Sequence, residues 1–265
     1  MKKLICCLVS ILLAANFVLA QDISDGLVAY YPFNGDANNQ AADVGHGILV
    51  NDPVLTEDRN GNPNSAYLFD YGKEQWIEIL DFNLPLPMGN DPRTLAVWAR
   101  CDWEQVDSHI IAYGTRIDRQ HCHLSMHSHS GFIRFGFWGS EHDCDAYVET
   151  HDTKWHHLAG TWDGSTAIIY WDGVHQKDFS NLSAVNTVPH HKNHMKIGCK
   201  NTDGWHNGFI GAIDEVMIYS RVLDESEITA IMDYGSGTGI DDENPMQVSS
   251  FKLNQNYPNP FNPST

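Results

Sequence analysis

Side chains alternate with period two along residues 155–162, with Trp155, His157, Ala159 and Thr161 on one face and His156, Leu158, Gly160 and Trp162 on the other. That is strand spacing. Asp163-Gly164 supplies the positive φ a reversal demands, residues 167–171 run back rich in Ile and aromatics, and Asp172-Gly173 turns the chain again. Three antiparallel strands in succession are predicted. Shorter strands are read at 27–33, 48–54, 66–70, 76–80, 93–100, 109–113 and 121–129, with 132–138 as hairpin partner of the last. Leu95, Val97 and Ala99 share one face, as do Ile77 and Ile79. Residues 208–218 read as a final strand carrying Ile213, Val216 and Ile218. Residues 220–228 follow as a short helix, with Asp224 as cap and Glu227 as its capping-box partner. No long amphipathic helix is legible. The pattern predicts an all-β sandwich of two antiparallel sheets over residues 21–235, a length that buries a full core as one domain.

The flanks read differently. Lys2 and Lys3, an apolar run over 4–18 and small residues before position 21 read as an export signal over 1–20, cleaved after Ala20. No later segment reaches the ~20 apolar residues of a membrane helix. Residues 236–248 are Gly-rich and acidic, a flexible linker, and residues 249–265 are a Pro/Asn-rich tail. The chain carries 16 basic and 34 acidic residues. Loss of the two signal lysines takes the formal charge from −18 to −20, which excludes a nucleic-acid partner. Export and an even count of four mature cysteines predict two disulfides. The expected pairing is Cys122 with Cys144, which flank one hairpin strand, leaving Cys101 with Cys199.

The Trp-His-His strand, Gly turn and Asp-Gly-ended return strand resemble the central hairpin of the laminin G-like jelly rolls, within the concanavalin A-like sandwich family. GFIGAIDEVMIYSRVLDESEI resembles that family's final strand and terminal helical turn, and LVAYYPF its first strand. The resemblance implies a two-sheet antiparallel jelly roll, and a role in binding carbohydrate or protein at the sandwich rim or concave sheet. His156 and His157 are then core residues. Residues 249–265, FKLNQNYPNPFNPST, resemble the opening of the C-terminal sorting domain of the bacterial type IX secretion route, which implies a secreted or cell-surface protein.

Candidate chemistry is concentrated in HCHLSMHSH, where period two sets His121, His123, Ser125, His127 and His129 on one side and Cys122, Leu124 and Met126 on the other. Two imidazoles on such a face are close enough to share Zn²⁺ or Cu²⁺. A polar, half-exposed strand face accounts for the same row in a chain with 15 histidines, so zinc is not expected. A glycan is the expected partner, on a shallow solvent-reachable face using Trp138 and His123, with Trp103 as a further candidate and Trp205 as another loop indole. A structural calcium ion is expected from the acidic loop after residue 33, which also holds Asp36 and Asn38, with Asp43 and Asp214 as side-chain ligands. Two other functions compete. Glu141, Asp143 and Asp145 alternate as in the β-glucanases of the same family, whose carboxylate pair cleaves glycosides, although here the outer partner is Asp145, the residues between are His142 and Cys144, and the segment reads as a loop after Gly139-Ser140. An acidic adhesion or structural domain that binds protein fits as well.

Overall fold

The computed structural model describes residues 22–102, 108–139, 141–150, 152–180, 182, 184–204 and 207–234. In chain order its strands are β1 (Leu27–Tyr31), β2 (Ile48–Val50), β3 (Val54–Thr56), β4 (Ala66–Phe69), β5 (Trp76–Ile79), β6 (Arg93–Cys101), β7 (Ser108–Gly114) and β8 (His121–His127). They continue as β9 (Phe132–Gly136), β10 (Asp143–Tyr147), β11 (Trp155–Trp162), β12 (Thr166–Trp171), β13 (Val174–Ser180), β14 (Met195–Ile197) and β15 (Gly211–Tyr219). One helix, α1 (Glu225–Asp233), closes the series. Sheet A runs β13-β12-β11-β6-β15-β4-β3, with β1 also paired to β15; sheet B runs β10-β9-β8-β7-β14-β5-β2. The strands pair antiparallel throughout. The all-β sandwich expected from the alternation is the fold.

The core lies between the sheets. Leu95, Val97, Leu158, Trp162 and Ile213 of sheet A meet Leu124, Ile133, Phe135, Ile197 and Ile77 of sheet B. Gly160 has no side chain because Phe135 occupies the space: a Cβ there would stand 2.7 Å from the Cβ of Phe135. A second apolar layer forms on the outer face of sheet A, where Leu223, Ile228 and Ile231 cover Tyr30, Ala96, Ala159, Tyr170 and Met217. Sheet A is thus buried on both faces beneath α1, with its edge strand β13 exposed, and sheet B carries the polar outer surface.

Two departures from simple alternation have local causes. The expected strand over 48–54 splits between the two sheets, because Asn51 and Asp52 take φ values of 57° and 52° and Gln75 donates to both their carbonyl oxygens. In β15, Ile213 and Val216 both reach the core although three residues apart. A bulge between Asp214 and Met217, with Glu215 at φ 51°, resets the register. Helix α1 begins where the capping box places it: Asp224 accepts from the Glu227 N–H at 2.9 Å and the Glu227 carboxylate accepts from the Asp224 N–H at 2.8 Å. Asp224→Ala should lower unfolding stability by about 1 kcal/mol, measured by urea denaturation, since it removes both the cap and its partner's geometry.

The cysteines correct an expectation. All four are buried thiols. Cys122 lies on β8 and Cys144 on β10 with β9 between them, so two strand spacings of about 4.8 Å hold them beyond disulfide reach. Cys101 ends a strand of sheet A, whereas Cys199 follows β14 of sheet B. Burial raises the Cys122 thiol pKa and pushes that of Cys144 up to about 12, so neither is a ready nucleophile.

Arg93 is fully buried at the start of β6. Its Nη1 donates to Thr187 Oγ1 (2.8 Å) and Tyr113 Oη (3.3 Å), its Nη2 to the carbonyl oxygens of Met88 and Gly89, and its Nε to that of Asp91. The guanidinium ties the Pro-rich crossing and the strand at Thr187 to the end of both sheets.

Candidate functional site

The outer face of sheet B follows from register. Three rows cross β8, β9 and β10: His123, Gly136 and Asp143; Ser125, Arg134 and Asp145; His127, Phe132 and Tyr147. Period two puts the charged and aromatic residues of FIRFG and DCDAY on this face and sends Ile133, Phe135, Cys144 and Ala146 into the core. The carboxylate-bearing segment, expected to be a loop, is strand β10 because its Cys144 and Ala146 have a core to enter.

Arg134 organises the middle row. Its Nε and Nη2 donate to the two oxygens of Asp145 at 2.6 and 2.8 Å, a bidentate pair, and its Nη1 lies 3.2 Å from Asp143. Burial raises Asp143 to about pH 6 despite Arg134, and its Oδ1 is buried without a hydrogen-bond partner. Arg134 also lies 5.4 Å over Phe132, which stacks on His127 at 4.2 Å and meets Tyr147 edge-on at 5.7 Å. Tyr147 is 79 % exposed. The row thus ends in an open aromatic ring beside a planar pair of opposite charges.

At the other end of β9, Trp138 is half-buried, with Arg116 at 4.4 Å and Lys200 at 4.6 Å from its ring centre and His121 edge-on at 6.1 Å. Between the two ends the histidines lie beneath the surface. His121, His123 and His109 are each at most 1 % exposed, and His129, expected in their row, instead sits exposed in the turn after β8. His123 is therefore not the solvent-reachable contact that was expected. Burial lowers His121 to about 3 and His109 and His123 well below the usual imidazole range, so all three are neutral at physiological pH. Trp103 and Trp205, like residues 1–20 and 236–265, lie outside the described residues.

On sheet A, His156 and His157 both have partners. His156 contacts Asp172 at 2.8 Å and Asp152 at 3.0 Å and stacks on Trp171, while His157 is buried beside Trp98. The residues expected to share calcium have separate partners. Asp43 is wholly exposed and faces His46, whereas Asp214 is buried, accepts from Arg59 at 3.4 Å and from the Glu215 N–H at 2.8 Å. Burial, with Glu215 alongside, holds the Asp214 carboxyl well above the usual carboxylate range. Asp214 is committed to a guanidinium that also holds the carbonyl of Tyr234, while Asp43 faces His46, so the two carboxylates have different partners.

The sequence pattern of the concanavalin A-like lectin/glucanases superfamily matches residues 72–229, more than half of the chain. The chain belongs to that superfamily. Solved structures agree on the concanavalin A-like fold at low identity. Domain 4 of AbnA, a GH43 extracellular arabinanase from Geobacillus stearothermophilus solved in complex with arabinotriose, is 20 % identical with a TM-score of 0.57. That likeness covers 78 % of this chain and 98 % of the other. The binding domain of botulinum neurotoxin DC is similar both in complex with SialylT (13 % identity, TM-score 0.58) and in complex with rat synaptotagmin II (12 %, 0.59). In each case 80 % of this chain is covered, and it spans about half of the toxin domain, 52 %. No curated protein matches. For this concanavalin A-like domain, no described helix is long and apolar enough to cross a membrane.

Proposed function

We propose that this chain is an exported carbohydrate-binding module that holds an oligosaccharide along the outer face of sheet B, between Tyr147 and Trp138. The observation that carries the reading is Tyr147, an open ring beside the bidentate Arg134–Asp145 pair. An aromatic face stacks on the apolar face of a pyranose or furanose, while carboxylate and guanidinium exchange hydrogen bonds with its hydroxyls. The strand from Phe132 to Gly136 alone spans about 13 Å, the reach of a short oligosaccharide. The comparable arabinanase domain, solved with arabinotriose, supports the ligand class. The same guanidinium counts against hydrolysis: it engages both Asp143 and Asp145, so neither is free to act as nucleophile.

An open face of this kind binds weakly, with Kd on the order of micromolar to millimolar. The test is a glycan array on the purified mature domain, followed by calorimetric titration of a hit, with arabinotriose and β-glucan oligosaccharides included. Tyr147→Ala should weaken binding about tenfold, the loss of one stacking ring, while the fold is retained. Unchanged affinity for Tyr147→Ala and loss for Trp138→Ala would move the site to the Trp138 end. Silence towards all glycans would favour a protein-binding adhesion domain, and release of reducing sugar from β-glucans would favour the enzyme.

A further inference from the structure

The histidine row loses its earlier explanation once it is buried. A half-exposed polar strand face needs no ligand, but His109, His121 and His123 lie under the surface of sheet B, where an imidazole must find partners or raise the energy of the fold. We propose that His109, His121 and His123 form a site for one transition-metal ion of the zinc class. The inference is independent of the glycan reading.

Geometry carries it. One ring nitrogen from each residue lies within 4.8 Å of the other two. The Nδ1 atoms of His121 and His123 are 3.3 Å apart. Two nitrogens bound to one tetrahedral zinc at 2.0–2.1 Å are held about 3.3 Å apart, so this pair already has the bite of a metal chelate. The ring of His109 stacks on His123 with centroids 4.5 Å apart and reaches the cluster from β7, beyond the bulge that interrupts its pairing with β8. His121 Nε2 is buried with no hydrogen-bond partner. Three imidazoles bring one ring nitrogen each towards a common point, and a cation there uses all three.

The neighbours leave room and supply charge. Gly136 lies across from His123, and a Cβ there would stand 2.9 Å from His123 Cε1 and clash with Asp143 Oδ1. The unpartnered oxygen of Asp143 is thus an anion bordering the site. Lys200 and Arg116 oppose a cation, but Lys200 donates to Asn207 at 2.9 Å and both stand over Trp138. An all-imidazole donor set under this field selects Zn²⁺, Cu²⁺, Ni²⁺ or Co²⁺ over Ca²⁺ and Mg²⁺. Three protein ligands leave a fourth position for water or an incoming donor.

The experiment is titration of the chelator-treated, dialysed protein with CoCl₂ and ZnCl₂. One equivalent of Co²⁺ should give the visible absorption of a tetrahedral site, Zn²⁺ should displace it and raise Tm, and CaCl₂ should do neither. His121→Gln with His123→Gln should abolish the absorption. His191→Ala should leave it, which separates the site from the exposed group His190, His191 and Asp203. If the double variant fails to fold, Co²⁺ in the wild-type protein should broaden the amide resonances of Gly136 and Trp138 before those of Lys192 and Asp203. Absence of one-equivalent binding, binding that survives the double substitution, or broadening confined to Lys192 and Asp203 would each overturn the proposal.

Discussion

Gly211→Ala should cost about 3 kcal/mol or more, the largest effect expected of any glycine substitution in the domain. Gly211 opens β15 at φ 134° and pairs with Cys101 in the middle of sheet A. A methyl group there would overlap the carbonyl oxygen of Arg100 and stand 3.0 Å from the amide nitrogen of Asp102. Both are backbone atoms of a paired strand, so relief requires separating β15 from β6 rather than turning a side chain. Gly61→Ala is the control, because Gly61 has φ 82° with nothing near its missing Cβ and so isolates the conformational cost alone, about 1–2 kcal/mol. Urea denaturation of the two variants measures the difference. Equal losses would mean that the close approach at Gly211 is not real.

Arg93→Ala should destabilise by about 3–5 kcal/mol, because the substitution empties a buried volume and leaves a set of acceptors without a donor. Five acceptors on three chain segments converge on one guanidinium: three carbonyl oxygens from the loop before β6, the hydroxyl of Tyr113 on β7 and that of Thr187. Arg93→Lys keeps the charge but not the planar fork. It should recover less than half of the loss, since one ammonium with three donors cannot face both the loop and the hydroxyls. Recovery of full stability by lysine would show that charge, not geometry, is what the position requires.

The central strands of sheet A were legible because they carry their own turn signals. Asp163-Gly164 and Asp172-Gly173 fix the β11-β12-β13 meander from sequence alone, and Asp224 with Glu227 fixes the start of α1. Sheet B was less so. Nothing in DCDAY announces a strand until Cys144 and Ala146 are seen to enter the core, and the three-residue β14 is too short to show a period. Period two correctly put His121, His123 and Ser125 on one face, but it cannot say whether a face is open or covered, and here the histidines are covered. The disulfide expectation failed for a related reason: spacing along the chain places Cys122 and Cys144 around one strand, while sheet order shows that this strand keeps them apart. Tyr147, Phe132 and Arg134 were overlooked as site residues although the same alternation aligns them. Their signal was the exposure of one ring, which no sequence carries.

Strand β1 and helix α1 meet on the outer side of sheet A, where Tyr30 packs edge-on against Tyr234, Tyr219 donates to the carbonyl of Ile23 and Arg221 to that of Asp25. The domain is therefore entered and left through the same layer, and Tyr147 stands on the opposite one. A polypeptide attached at either end, or a host domain with this sandwich spliced into one of its loops, would hold the molecule by its back. On a short or stiff attachment the exposed tyrosine would then point away from the anchorage, as a bracket presents a lamp.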